Sequence, residues 1–361
     1  MVLKIAAFAV ALTICGPAFA MESSVGSLKV SLIADGFDQP WSVEPLPDGA
    51  ILVSERGGAL TFLRRDGHRT NVSGVPKVVD RGQGGLLDIM IPRDFAKNRE
   101  VYLSYSNIDG DSYGTALGRG KLSKDGSKLI NFRRIFQQAR GNTDAKHFGS
   151  RIVEAKDGNI FLTIGERGQR KQAQNLGNHN GTVVRLQRSG AAVSDNPFIG
   201  QSAQPEIYSY GHRNPQGAAL DLNGNLYVVE HGARGGDEVN KIKAGANYGW
   251  PVISYGTHYS GLKIGEGTSK AGMKQPEHYW DPSIAPSGMM IYSGKLWPQW
   301  RGDIFVGSLK FDMISRLDGK SLAEERLSST ETGRVRDVVE GPNGEIWFLS
   351  VEDGALYEIT K

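Results

Sequence analysis

A repeated punctuation constrains this chain more than any other feature. Asp48-Gly49 leads into Ile51-Leu52-Val53-Ser54-Glu55-Arg56, and Asp157-Gly158 into Ile160-Phe161-Leu162-Thr163. Asn223-Gly224, Gly302-Asp303 and Asn343-Gly344 precede Leu226–Glu230, Ile304–Ser308 and Ile346–Ser350 in the same way. A sixth run, Val101–Ser106, has the strand character but follows Asn98-Arg99-Glu100 instead of a glycine turn. Such runs, rich in β-branched and aromatic residues and bounded by Gly, Asp and Asn, read as strands. Their recurrence every 57 residues or so is above the roughly 40–50 of common propeller blades, which leaves room for insertions. No Pro-rich or Ser-rich linker divides the chain, so two β-sandwiches end to end fit less well than one β-propeller. Repeated sheets around an axis also leave few exposed edges.

Equivalent propeller strands run in one sense, so residues at their exits collect on one rim. Glu55, Glu166, Glu230, His231 and Lys310 all occupy such exits. A rim with that many ionisable groups is expected to form a ligand site.

The N-terminus reads as a cleavable secretory signal over residues 1–20. Lys4 supplies the basic start, Ile5 to Ile14 is an apolar run, and Ala18-Phe19-Ala20 matches a small-x-small cleavage site. The run is shorter than the ~20 apolar residues of a membrane span. The expectation is a periplasmic or secreted protein whose domain is residues 21–361, without stable membrane insertion. The single cysteine, Cys15, lies inside the signal. The remaining chain therefore has no disulfide, no thiolate zinc site, no catalytic thiol and no C-x-x-C-H haem attachment. The formal charge of +3 comes without a Lys/Arg-rich run, so nucleic acid is not an expected partner.

Several catalytic signatures are missing. Gly82-Gln83-Gly84-Gly85 fails the dinucleotide fingerprint because Leu87 stands where its third glycine belongs. No phosphate-binding loop, zinc-protease helix or serine-hydrolase elbow is present. Four polar, glycine-rich segments stand out instead. Lys146-His147-Phe148-Gly149-Ser150-Arg151 is followed by Gly165-Glu166-Arg167-Gly168. A histidine positioned by a carboxylate suits proton removal near neutral pH, although from these residues alone a structural histidine is the commoner outcome. Tyr208 to Gly217 and Glu230 to Glu238, the latter running on to Asn247-Tyr248-Gly249-Trp250-Pro251, offer backbone carbonyls and carboxylates that suit a hard cation such as Ca²⁺. Lys310, Arg334 and Arg336 are three cations able to hold a multiply anionic ligand, or simply to keep the surface soluble.

Taken together, these segments resemble the soluble PQQ-dependent glucose and aldose sugar dehydrogenases. The resemblance runs from Gln39-Pro40-Trp41 to Asp353-Gly354. It rests on Gly84-Gly85-Leu86-Leu87-Asp88, the His147 segment, Gly211-His212-Arg213-Asn214-Pro215-Gln216-Gly217, Asn247 to Pro251, Ser283 to Gly288, and Arg334-Val335-Arg336-Asp337. It implies an all-β, six-bladed β-propeller, which agrees with the six runs. It implies PQQ and Ca²⁺ as cofactors and oxidation of an aldose at C1 to the lactone. By the same resemblance, His147 is the general base, Glu166 its acidic partner, and Arg213 and Asn214 lie beside the quinone. Lys310, Arg334 and Arg336 hold the cofactor's anionic groups, and Gln83 belongs to the sugar and base pocket. The carbonyls of Gly232 and Ala233 match ligands of the cofactor-bound Ca²⁺. Glu238 and the carbonyl of Tyr248 match a second, structural Ca²⁺ site. Comparatively short loops favour a broad aldose range in a monomer or dimer, with Ser283 and Tyr279 as candidate sugar contacts. Electrons would leave to an external acceptor, a cytochrome or a quinone. Two other readings stay open: a metal-dependent propeller lactonase, and a non-catalytic sugar-binding propeller. The joint presence of His147, Lys310, Arg334 and Arg336 argues against both.

Overall fold

The computed structural model describes residues 19–139 and 141–361. The signal reading falls mostly outside these residues. Met21, the first residue after the expected cleavage point, is fully buried and pairs with Leu28.

The glycine turns at Gly49, Gly158, Gly224 and Gly344 close hairpins, whereas Gly302 ends a longer link that holds the short helix Pro298–Trp300. At the first, the Asp48 carboxylate accepts the Ala50 N–H at 3.1 Å while Gly49 takes a φ of +83°, a conformation open to glycine at little cost. The sixth run lacks this turn because a four-residue helix, Phe95–Asn98, ends there with Arg99 in the left-handed conformation.

All six runs are second strands of their sheets. Five sheets have four antiparallel strands, beginning with Pro40–Pro45, Leu86–Met90, Gly149–Glu154, Pro215–Leu220 and Pro286–Ile291. The sixth starts with Val335–Glu340 and is completed from the other end of the chain, where Leu28–Ala34 pairs with Ala355–Thr360. That exchange joins the two ends of the chain and leaves a closed ring. The six first strands touch in succession, with Val335–Glu340 against Pro40–Pro45 completing the circle. The result is a six-bladed β-propeller.

The second strands are buried on both faces because each sheet packs between two others. Ile346–Ser350 is buried throughout, and Phe305, Phe348 and Leu162 are fully buried. Burying each such side chain contributes about 1.5–3 kcal/mol. Among the described residues, no helix is long and apolar enough to cross a membrane.

One register feature decides where the site forms. Every first strand carries a bulge near its start, where pairing skips from Pro40 to Ser42, Leu86 to Ile89, Gly149 to Ile152, Pro215 to Gly217, Pro286 to Met289 and Val335 to Asp337. A bulge leaves its extra residue unpaired and re-aims the side chain. Trp41, Gln216 and Arg336 are such extra residues, and all three line one cavity.

Candidate active site

The cavity has a volume of 240 Å³ and opens on the rim where first strands begin and second strands end. Trp41, Gln216 and Arg336 form its floor with Asn214 and His231; Gln83, Arg56 and Arg334 form its walls.

His147 stands beside it, in the link leading into Gly149–Glu154, with a φ of +55°. Its Nδ1 lies 2.5 Å from Oε1 of Glu166, which is 1% exposed, and its backbone N–H donates to Oε1 of Gln83 at 2.6 Å. The carboxylate fixes the imidazole proton on Nδ1 and leaves Nε2 as the basic nitrogen. Burial presses the His147 pKa below its ordinary value; the Glu166 hydrogen bond opposes this and the Arg213 charge adds to it.

Arg213 is held from three sides. Its backbone N–H donates to Glu230 Oε2 at 2.7 Å, Nη1 donates to the His231 carbonyl at 3.3 Å, and its guanidinium lies 5.3 Å from the Trp250 ring centroid. Asn214 accepts from the Gly149 N–H and from Gln216 Nε2 through Oδ1, and its carbonyl accepts the His231 N–H. Two buried polar atoms here have no hydrogen-bond partner, Arg213 Nε and His231 Nε2. Burial, with the charge of Arg213 next, pushes His231 down to about 3, so it is a neutral ring at physiological pH.

The cations expected around an anionic ligand divide. Arg336 Nη1 donates to Gln216 Oε1 at 3.2 Å, and its guanidinium packs 4.7 Å from the Trp41 centroid. Burial, reinforced by Arg151, pushes it down to about 9. Arg334 donates to the Leu309 carbonyl at 2.9 Å and reaches the cavity wall. Lys310 is exposed on the rim just outside, its Nζ 4.8 Å from the Phe311 centroid.

The expectation that all strand-exit charges face a ligand is too broad. Glu55 accepts from the Asp38 N–H and from Thr61, and Glu230 is a buried acceptor for His212, Asn240 and the Arg213 N–H. These two carboxylates brace loops. Ser283 donates to Asp237, and Tyr279 stacks on Tyr255 at 4.1 Å. Neither lines the cavity.

A second, much smaller cavity of 10 Å³ lies behind Arg213, lined by Glu230, Glu238, Gly232 and Tyr248 among others. Burial, with Glu230 as the next cause, pushes Glu238 up to about 8. The backbone at Gly232 is too crowded for a side chain, since a Cβ there would meet the Gly235 carbonyl at 2.2 Å.

Residues 37–358 match the family described as Glucose / Sorbosone dehydrogenase. The aldose sugar dehydrogenase YliI of Escherichia coli is 42% identical over 352 residues, covering 94% of this chain and 95% of the relative. The chain belongs to the glucose/sorbosone dehydrogenase family. The solved apo-form of the soluble aldose sugar dehydrogenase from Escherichia coli superposes with a TM-score of 0.88 at 40% identity, covering 92% of this chain and 99% of that one. The PQQ-bound aldose sugar dehydrogenase of Streptomyces coelicolor gives 0.78 at 26% identity, covering 92% and 97%. The dehydrogenase is thus a sugar oxidoreductase of the PQQ type on a six-bladed propeller.

Of the site residues expected from the sequence, Gln83, Asn214, Arg334 and Arg336 line the cavity, while His147 joins it through Gln83, Glu166 through His147, and Arg213 through the His231 carbonyl. The sequence marked His231 only as a strand-exit charge and gave no role to Trp41 or Gln216. Trp41 and Gln216 occur within the family-like segments, but nothing in strand periodicity marks a bulge.

Proposed function

We propose that this dehydrogenase oxidises aldoses at C1 to the lactone with bound PQQ and Ca²⁺, passing electrons to an external acceptor. The observation that carries the reading is the His147–Glu166 pair set beside a cavity with arginines on its floor and wall. A metal-dependent lactonase is not favoured, because the family model and the relative that span nearly the whole chain are those of sugar dehydrogenases.

The residues present fit both cofactors. Arg334 and Arg336 offer paired donors to the carboxylates of PQQ, and the unpartnered Arg213 Nε and His231 Nε2 are polar atoms to which a polar ligand would supply partners. Gly232 and Ala233 directly follow the cavity-lining His231, and their carbonyls would be hard oxygen donors suited to a cofactor-bound Ca²⁺. Glu238, with the Tyr248 carbonyl, suits a second Ca²⁺, because a divalent cation would relieve the repulsion between Glu238 and Glu230. When bound, PQQ supplies the electron sink for the sugar C1–H. The protein does the rest. His147 Nε2 takes the proton of the C1 hydroxyl, and Glu166 stabilises the imidazolium that forms. Arg213 places a fixed positive charge beside the reacting centre, where negative charge develops. Lys310 on the rim is positioned to meet an anionic group at the cavity mouth.

The test is reconstitution. The purified protein should be inactive until given PQQ and Ca²⁺, and should then reduce an artificial dye with glucose or other aldoses. Loss of the reading would follow from finding neither PQQ binding nor sugar-dependent dye reduction. We also assign residues 1–20 as a removable export signal, checked by N-terminal sequencing of the exported protein.

A further inference from the structure

Arg167 is 0% exposed, and its three hydrogen bonds all go to backbone carbonyls. Nη1 donates to the Lys146 carbonyl at 2.6 Å; Nη2 donates to the Asp144 carbonyl at 2.5 Å and to that of Tyr113 at 3.4 Å. Its guanidinium lies 3.5 Å from the centroid of the Phe148 ring, which is itself stacked on Tyr113. The Arg167 carbonyl in turn accepts from Asn142 Nδ2 at 2.7 Å. The residues so gripped, Asn142, Asp144, Lys146 and Phe148, surround His147. From the other side, Gln83 accepts the His147 N–H and donates its own N–H to the Ala145 carbonyl at 2.7 Å.

Burying a guanidinium without a carboxylate partner is costly, and here burial pushes Arg167 down to about 10. Arg167 also follows Glu166 directly and has a left-handed φ of +58°. The side chain that grips the His147 loop and the carboxylate that orients the His147 ring therefore come from adjacent residues. Any shift of the loop relative to Glu166 must break a bond to Arg167.

We propose that Arg167 is the positioning residue for the base, clamping the Asp144 and Lys146 carbonyls so that the His147 ring stays on Glu166. The proposal rests on the reading of His147 as the base. A misplacement of about 1 Å in a reacting group can cost on the order of 100-fold in rate.

Two variants and two readouts test it. In cofactor-free wild-type protein the 2.5 Å His147–Glu166 bond should give a downfield imidazole N–H proton signal. Arg167→Met, which keeps side-chain length but donates no bonds, should lose that signal by exchange. Reconstituted, it should lose about 10–100-fold in kcat with KM changed less than about twofold. Arg167→Lys, whose single ammonium replaces the planar fork, should fall between the two. A wild-type signal and wild-type kcat in either variant that folds would overturn the proposal. The N–H signal is read without cofactor or sugar, so it judges the clamp even if reconstituted wild type oxidises no aldose, an outcome that instead removes the functional reading.

Discussion

Nδ1 of His147 lies 2.5 Å from Oε1 of Glu166, while Oε2 of the same carboxylate is buried with no hydrogen-bond partner. The carboxylate's hydrogen-bonding capacity is directed at one imidazole nitrogen, as a group that orients a base requires. Replacing His147 with Gln retains a polar side chain but removes the basic nitrogen. His147→Gln should keep PQQ affinity and lower kcat by about 10²–10⁴-fold, the usual contribution of a general base. Stopped-flow dye reduction beside a PQQ titration measures both, and an unchanged kcat removes His147 from the chemistry.

The same pair predicts a pH profile. Burial holds the His147 pKa below the usual imidazole value, with Glu166 as the main opposing influence. The base works only when Nε2 is unprotonated, so kcat/KM of the reconstituted enzyme should fall on the acid side, at a pH below about 6.5. In Glu166→Gln the raising influence is gone, so the acid limb should move to still lower pH while the plateau rate drops. An acid limb that stays in place in Glu166→Gln would show that the carboxylate does not act on this imidazole.

Cofactor affinity should separate the cations by depth. Arg336 is a bulge residue on the cavity floor, whereas Lys310 is exposed at its mouth. A hydrogen bond to a charged group contributes about 1.5–3 kcal/mol when desolvated, or roughly 10–100-fold in affinity, and less where water screens it. Arg336→Ala should weaken PQQ binding by that amount and Lys310→Ala by less, read from apparent Kd in titrations at fixed Ca²⁺. Equal titration curves for Lys310→Ala and wild type would take Lys310 out of the binding set.

Calcium should stabilise the fold through Glu238. Its carboxyl is pushed up to about 8 by burial and by Glu230, so protons compete with a cation there. The rise in melting temperature on adding Ca²⁺ to the cofactor-free protein should therefore be larger at pH 8 than at pH 6. Glu238→Gln should remove most of it. A calcium effect that is identical in this variant would place the ion elsewhere.

How much of this was legible beforehand depends on which strand carried the signal. The second strands are punctuated by glycine turns and buried on both faces, so Ile160–Ile164 or Ile346–Ser350 stand out as continuous apolar runs. The first strands start in bulges, and there the alternation of faces breaks. Trp41, Gln216 and Arg336 owe their inward aim to a skipped register position, which no residue spacing encodes. Strand exits gave the right rim but the wrong partition: Glu166 reaches the site, whereas Glu55 and Glu230 turn back to backbone N–H groups. Those backbone partners, Asp38 and Arg213, each lie 17 residues away in the link that leads into the first strand of the same hairpin, a pairing that strand punctuation does not mark.

The bulges also create a buried ionic centre below the cavity floor, which yields the last prediction. Arg151 donates to Asp88 at 2.7 Å through Nη1 and to the Gln216 carbonyl at 2.8 Å through Nε. Its Nη2 pairs with Asp337 at 2.9 Å, and it lies 4.4 Å from the Trp41 centroid. Asp88 is 2% exposed, and burial pushes it up to about 6 in spite of Arg151. Burial raises Glu44 as well, with Asp88 and Asp337 adding repulsion. A carboxyl whose pKa is higher folded than unfolded is penalised when ionised, so its cost to stability grows as pH rises from about 4 through 6. Arg151→Met removes the positive charge that offsets this for Asp88 and Glu44. Breaking a buried pair in this way costs about 3–5 kcal/mol. The loss should be near that figure at pH 8 and smaller at pH 5, where the carboxyls hold protons in the fold. Urea denaturation of wild type and variant at the two pH values measures it. An equal deficit at both would mean that the guanidinium acts through packing on Trp41 rather than through its charge.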